Sequence, residues 1–232
     1  DMPSELPDGL ILAAVPARGN EKDAFVSRRY QSLSDLPRGA VVGTSSLRRK
    51  AQLLHLRPDL TVSDLRGNVD TRLSRLDDGD YDAIILAAAG LIRLGLSDRI
   101  TSLLPPDQFL PAAGQGALAI EARSDDEPVL RLLQAIHDER TAAAVTAERA
   151  CAAAIGGSCQ IPAGAFASWQ GGDLVLRAFI ASPDGRTCLN RQATAPAADA
   201  RKLGYELGKD MLAGGGEALL RSLRTTIKGD TL

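Results

Sequence analysis

Aromatic side chains are scarce: four Phe, three Tyr and one Trp make up 3% of the 232 residues. There is little here on which to stack bases, and a formal net charge of −2 supplies no overall positive field for a polyanion. Nucleic acid is therefore not an expected partner, and any positive site must be built locally. Cysteine is rarer still. Cys151, Cys159 and Cys188 are odd in number and lack CxxC spacing, which argues against a zinc site and a disulfide framework and fits a reduced compartment. The two histidines, His55 at a helix end and His137, stand without a neighbouring ligand residue, and neither is assigned to catalysis or metal. No apolar run approaches a membrane span and no leader-like segment opens the chain, so the expectation is a cytoplasmic chain with no membrane partner. What is present, 44% hydrophobic residues in 232, is enough to bury the cores of two modest domains.

The chain is organised around Gly43-Thr44-Ser45-Ser46-Leu47-Arg48-Arg49-Lys50. An apolar run, Ala40-Val41-Val42, precedes it and Ala51-Gln52-Leu53-Leu54 follows, the pattern of a strand, a tight turn and a helix start. A helix N-terminus offers unpaired N–H groups and partial positive charge, three hydroxyls add donors, and two guanidinium forks suit carboxylate or phosphate. An ordinary N-cap with solvated basic residues is the plainer reading of such a stretch taken alone. From Ala40 to Arg93 the pattern is βαβαβα, with strands near 40–42, 60–65 and 81–87 and helices near 47–56, 68–76 and 88–94, which predicts a parallel sheet with ligands at its carboxyl end. Each strand end is followed by arginine: Arg48 and Arg49, then Arg66 and Arg72, then Arg93. Three such sets at equivalent positions predict a cleft for several carboxylates or phosphates.

Strands at Leu10–Val15 and Ala117–Glu121 flank that region and could share another domain, so that the chain crosses twice between two hinged lobes, the second time through Gly114-Gln115-Gly116. A helix near 126–137 and an alanine-rich helix from Thr141 to Ile155 follow. The next loop, Ser158-Cys159-Gln160-Ile161-Pro162, exposes a thiol with three readings: a small buried hydrophobe, a nucleophile, or an attachment point for a covalent group. No histidine or helix N-terminus stands beside Cys159 to lower its pKa, which weakens the nucleophile. Cys151 and Cys188 read as structural. The remainder is an α+β module: strands at 163–169, 174–181 and 187–194 form a meander, followed by helices near 198–212 and 217–223 about Gly214-Gly215-Gly216.

Asp1-Met2-Pro3, the Gly43–Arg49 run, Leu65-Arg66-Gly67-Asn68-Val69 with Thr71-Arg72, Gly90-Leu91 with Arg93-Leu94-Gly95, Gly114-Gln115-Gly116 and Gly156-Gly157-Ser158-Cys159-Gln160-Ile161-Pro162 resemble, in order and along the whole chain, the porphobilinogen deaminase (hydroxymethylbilane synthase) family. The resemblance implies an α/β fold with two hinged lobes like those of type II periplasmic binding proteins and a small C-terminal α/β domain with a three-stranded antiparallel sheet. It implies residues 1–16 and 117–137 as a remnant of the first domain, 17–116 as the second, and 138–232 as the third, cofactor-carrying one. The implied activity is head-to-tail condensation of four porphobilinogen molecules with loss of ammonia, giving hydroxymethylbilane for tetrapyrrole synthesis. A covalent dipyrromethane cofactor would hang from Cys159 by a thioether. Arg48, Arg49, Arg66, Arg72 and Arg93, with Thr44, Ser45, Ser46 and Asn68, would hold its carboxylates and those of the growing chain. Gln115 would lie at the hinge, and Asp1 would be the catalytic carboxylate that steadies cationic pyrrole intermediates. A monomer is implied, with the family's preceding segment expected as a separate, unseen or removed piece, and activity is not expected without it. The rival from another class is a non-catalytic two-lobed anion-binding protein.

Overall fold

The computed structural model describes residues 6–156 and 161–221. Three sheets organise the described residues. Strand β1 (Leu10–Ala14) leads through a polar crossing into β2 (Asp23–Val26), β3 (Val41–Gly43), helix α1 (Leu47–Leu56), β4 (Thr61–Ser63), α2 (Val69–Asp77), β5 (Ala83–Ala87), α3 (Ala88–Arg93) and β6 (Ser102–Leu104). A second crossing returns to β7 (Ile120–Arg123), followed by α4 (Glu127–Leu133), α5 (Glu139–Ile155), β8 (Ala163–Gln170), β9 (Asp173–Ala181), β10 (Cys188–Ala195) and α6 (Ala200–Met211).

The largest sheet has the order β4-β3-β5-β2-β6. Strands β3, β4 and β5 are parallel, as the βα alternation predicts. That prediction covers 40–93 only: β2, a strand whose direction the sequence leaves open, lies antiparallel to both β5 and β6, and β6 is a three-residue strand, Ser102-Leu103-Leu104, that the sequence does not predict. The physical reason is the route of the chain. It arrives from the neighbouring unit at the carboxyl end of β5, where Asp23 stands opposite Ala87, and must run back along the sheet. Alternate residues then fill two cores. Ala24, Val26, Ile84 and Leu86 pack with Leu73, Leu76 and Leu91 on one face, while Phe25, Ala83 and Ile85 pack with Val42, Leu53 and Phe109 on the other. Continuous burial of β2 and of Ala83–Leu86 follows from helices covering both sides.

Strands β1 and β7, at the two flanks of that lobe, pair antiparallel, with Leu10 opposite Arg123 and Leu12 opposite Glu121. The three-stranded sheet β10-β9-β8 is an antiparallel meander. One face of it, through Leu174, Leu176 and Ile180, packs with Ala147, Cys151, Leu203 and Leu207 of α5 and α6. Its other face, through Phe166, Phe179 and Ala181, packs with Ala51 of α1 and Leu110. The module is thus docked directly on the helix that carries Arg48 and Arg49. Helix α5 begins with Asp138 accepting from the Thr141 amide at 2.7 Å and ends at Gly156, whose φ of 119° is a left-handed cap that glycine adopts without strain. The Gly214–Gly216 run bends the last helix through a wider turn with Gly215 at φ 112°, and the helix resumes at Glu217. No helix among the described residues is long and apolar enough to cross a membrane.

Cys151 is buried in this core, and burial pushes its thiol up to about 12. Only the thiolate reacts readily. Iodoacetamide at pH 8 is therefore expected to leave the Cys151 peptide unmodified in native protein and to label it fully in denaturant; peptide masses showing equal native labelling of Cys151 and half-buried Cys188 would contradict this packing.

Candidate functional site

The antiparallel β2 begins where β3 and β5 end, so its first residue faces the start of α1. That residue is Asp23, fully buried, and it gathers both arginines of the Gly43–Lys50 stretch. Arg48 donates to the two Asp23 oxygens at 2.7 and 3.2 Å, and Arg49 Nε donates to Oδ1 at 2.9 Å. Arg48 also donates to the Leu110 carbonyl at 2.6 Å and to Gln115 Oε1 at 3.2 Å, while Arg49 reaches the Ile85 carbonyl at 3.3 Å. The expectation of two ligand-facing forks thus meets two forks already partnered by a buried carboxylate. Two guanidiniums on one carboxylate still leave the cluster one positive charge in excess. Burial disfavours the Asp23 carboxylate, but Arg48 and Arg49 outweigh it and hold the group below its ordinary value. Arg49 is lowered by burial and by the like charges of Arg48 and Arg72, against the pull of Asp23.

The turn before α1 is fixed by its own hydroxyls. Thr44 Oγ1 accepts from the Ser46 amide at 3.2 Å, Ser45 Oγ from the Leu65 amide at 3.0 Å, and Ser46 Oγ caps the helix by accepting from the Arg49 amide at 3.4 Å. Each oxygen accepts in these bonds, and a hydroxyl that accepts keeps a hydrogen to donate to an anion. Asn68 caps α2 by accepting from the Thr71 amide at 2.8 Å, and Arg72 Nε donates to the Gly67 carbonyl at 2.8 Å, which ties that arginine to the second strand-end turn near Arg49. Arg66 is exposed beside Asp64, 3.5 Å away, and Arg93 is exposed at the end of α3. Among the described residues no hydrogen bond or ion pair joins either to the Asp23 cluster. Asp1 and Cys159 lie outside the described residues.

Gln115, in the second crossing, reaches the first. Its side-chain amide donates to the Glu21 carbonyl at 2.6 Å and to Asp23 Oδ1 at 3.2 Å. Its backbone carbonyl accepts from Arg18 Nε at 2.9 Å, and Gly19 N donates to the Gly116 carbonyl at 3.0 Å, holding the crossings together. Arg18 in turn donates twice to Glu148 of α5, at 2.6 and 3.0 Å, and lies 5.1 Å from the Phe166 ring centre. Glu148 is fully buried and accepts also from the Gly114 amide at 2.7 Å and the Ala167 amide at 2.9 Å. Burial drives its carboxyl above the ordinary value, opposed by Arg18 and those two amides.

Of the residues gathered here, sequence reasoning singled out Arg48, Arg49 and Gln115 but not Asp23, Arg18 or Glu148. The signals were present: Asp23 heads an otherwise apolar strand, and Glu148 falls on the buried stripe of α5 formed by Thr141, Ala144, Val145, Cys151 and Ile155. The histidines have structural partners. His55 Nδ1 lies 2.9 Å from the Gly185 carbonyl, and His137 Nδ1 accepts from the Val15 amide at 3.2 Å. No group of three metal-ligating side chains occurs among the described residues.

Comparison with known proteins bears on what such a site serves. Residues 1–131 match the family model described as "Porphobilinogen deaminase, dipyromethane cofactor binding domain", and residues 142–213 match "Porphobilinogen deaminase, C-terminal domain". The porphobilinogen deaminase of Paraburkholderia phymatum is 53% identical over 97% of this chain and 70% of its own length. That of Ralstonia nicotianae is 56% identical over 96% of this chain and 68% of its own, and that of Thiobacillus denitrificans 53% over 96% and 73%. Among solved structures, an arginine-specific periplasmic binding protein of Salmonella typhimurium is 17% identical with a TM-score of 0.35, covering 55% of this chain and 57% of its own. A nutrient binding protein of Burkholderia cenocepacia bound to methionine gives 16% and 0.36, covering 54% and 61%. Likenesses so low add nothing to the reading. Two family models that match residues 1–131 and 142–213, and relatives more than half identical along nearly all of the chain, leave one conclusion: the chain belongs to the porphobilinogen deaminase family.

Proposed function

We propose that this chain carries the dipyrromethane cofactor of a transferase that condenses four porphobilinogen molecules head to tail, with release of ammonia, to give hydroxymethylbilane for tetrapyrrole synthesis. The observation that carries the reading is the excess positive charge of the Arg48–Arg49–Asp23 cluster within a chain whose relatives are porphobilinogen deaminases. The residues fit the group. A dipyrromethane bears acetate and propionate side chains, and buried guanidiniums, a helix N-terminus and three hydroxyls are donors matched to carboxylates. When bound, the dipyrromethane supplies the fixed end from which a pyrrole chain is extended.

In this reading Cys159 anchors the cofactor by a thioether and Asp1 steadies the cations that form as C–N bonds break. Arg49 and Arg72, with Ser46, Thr44, Ser45 and Asn68, hold carboxylates close to the two strand-end turns. Arg48, whose terminal N–H groups are taken by Asp23, the Leu110 carbonyl and Gln115, adds its charge to theirs and fixes the mouth of the hinge. Exposed Arg66 and Arg93 meet carboxylates as the chain lengthens, a role that suits side chains outside the buried cluster. Residues 17–116 form the arginine-bearing lobe, 1–16 with 117–137 part of the facing lobe, and 138–232 the cofactor-carrying domain. We further infer a monomer acting in the cytoplasm, without a nucleic-acid or membrane partner.

The test is the intact mass of the purified chain under denaturing conditions, with the adduct mapped by peptide. A dipyrromethane is expected on the Cys159 peptide, and Cys159→Ser is expected to abolish it completely. An adduct that survives the substitution, or protein from cells that make porphobilinogen that is unmodified both as this chain and when extended ahead of Asp1, would reject the assignment, the second outcome favouring a simple anion-binding protein.

A further inference from the structure

Asp23 stands apart in this site as an acid placed where the ligand is itself acidic. Its carboxylate is completely buried and accepts four contacts from the two arginines, at 2.7, 2.8, 2.9 and 3.2 Å, together with the Gln115 amide at 3.2 Å. A competing anion would weaken binding. An anchor would strengthen it, because long arginine side chains lose much rotamer freedom when they bind, and a buried partner removes that freedom in advance. Burial favours the anchor: Asp23 lies against Arg48 and Arg49 at the carboxyl end of β3 and β5, and two like-charged forks could not remain side by side there without it. We propose that Asp23 is a positioning residue that sets the direction of the Arg49 fork, so that the N–H groups not taken by Asp23 and the Ile85 carbonyl meet the carboxylates of a pyrrole chain already aligned. This rests on the deaminase reading for the identity of the ligand but not for the geometry.

Two measurements decide it, neither of which uses turnover. In the unchanged chain, the Arg49 Nε–H, assigned by its loss in Arg49→Lys, is expected to exchange with solvent at least tenfold more slowly than that of exposed Arg66. Equal exchange would overturn the proposal without any Asp23 variant. Tricarballylate, an unreactive tricarboxylate, is then titrated against the arginine Nε–H signals. Asp23→Asn is expected to weaken its binding at least tenfold, and Asp23→Glu, which keeps the charge but displaces it, at least threefold. Leu53→Ala, a cavity one turn beyond Arg49 in the apolar core under the same helix, is expected to lower thermal stability and leave binding within twofold. Tighter binding by Asp23→Asn would show Asp23 to be a competitor only, and equal weakening in Leu53→Ala would show general loosening; either rejects the positioning role. The deaminase reading fails separately, through the absence of a cofactor adduct.

Discussion

Glu148→Ala is expected to cost about 3–5 kcal/mol of stability, the range for removing one partner of a buried ion pair. The loss has several parts acting together. Arg18 is left as a partly buried cation without its bidentate partner, the Gly114 and Ala167 amides lose their acceptor, and a cavity opens in the packing between α5 and β8. Unfolding in urea, followed at two wavelengths, measures it, and a loss under about 1 kcal/mol would show that the network does not hold the crossings to the C-terminal module. Replacing both partners, Arg18→Met with Glu148→Met, is expected to be less damaging than Glu148→Ala alone, since no charge is then stranded. The variant also separates stability from shape. Because Arg18 grips the Gln115 carbonyl, freeing it loosens the same backbone whose side chain contacts Asp23.

Gly204→Val should destabilise by more than about 3 kcal/mol, beyond the usual range for overpacking. A Cβ at Gly204 would stand 2.1 Å from the Ala147 carbonyl oxygen, 2.8 Å from Ala150 Cβ and 2.9 Å from the Cys151 amide nitrogen. These are atoms of the facing helix, mostly backbone, and cannot step aside one at a time; α5 and α6 must separate. At roughly 2–4 °C per kcal/mol for a chain of this size, the midpoint of thermal unfolding is expected to fall by about 10 °C. A midpoint within 3 °C of the unchanged protein would mean that the two helices do not approach so closely. One turn on, a Cβ at Gly208 would lie 2.6 Å from Ala154 Cβ, so the two glycines line one contact seam.

How far the sequence displayed this architecture depends on where the signal is local. Helix α1 is recognisable to the residue, Leu47–Leu56, because capping, charge and apolar spacing all lie within one window. The β8–β10 meander is nearly as plain, since its turns carry Gly171-Gly172 and Pro183-Asp184-Gly185. Strand direction is another matter. Asp23-Ala24-Phe25-Val26 has the same apolar content whether it runs parallel or antiparallel, and only the path between units decides it. That direction is what places Asp23 against Arg48 and Arg49, so the partner of the most legible motif was set by the least legible feature. Glu148 differs: its place on a buried helical stripe is a local signal, masked by the high alanine content around it, which makes every face of α5 look apolar.

The antiparallel entry of β2 has a consequence for the lobe as a piece of architecture. Its first strand and its last lie next to each other, with Asp23 opposite Leu104, so the segment between them leaves and rejoins the rest of the chain through a single narrow neck. Such a segment is topologically portable. It could be excised or re-entered elsewhere in the chain with little rewiring, and new ends could be opened in it by circular permutation, while its sheet order stayed the same.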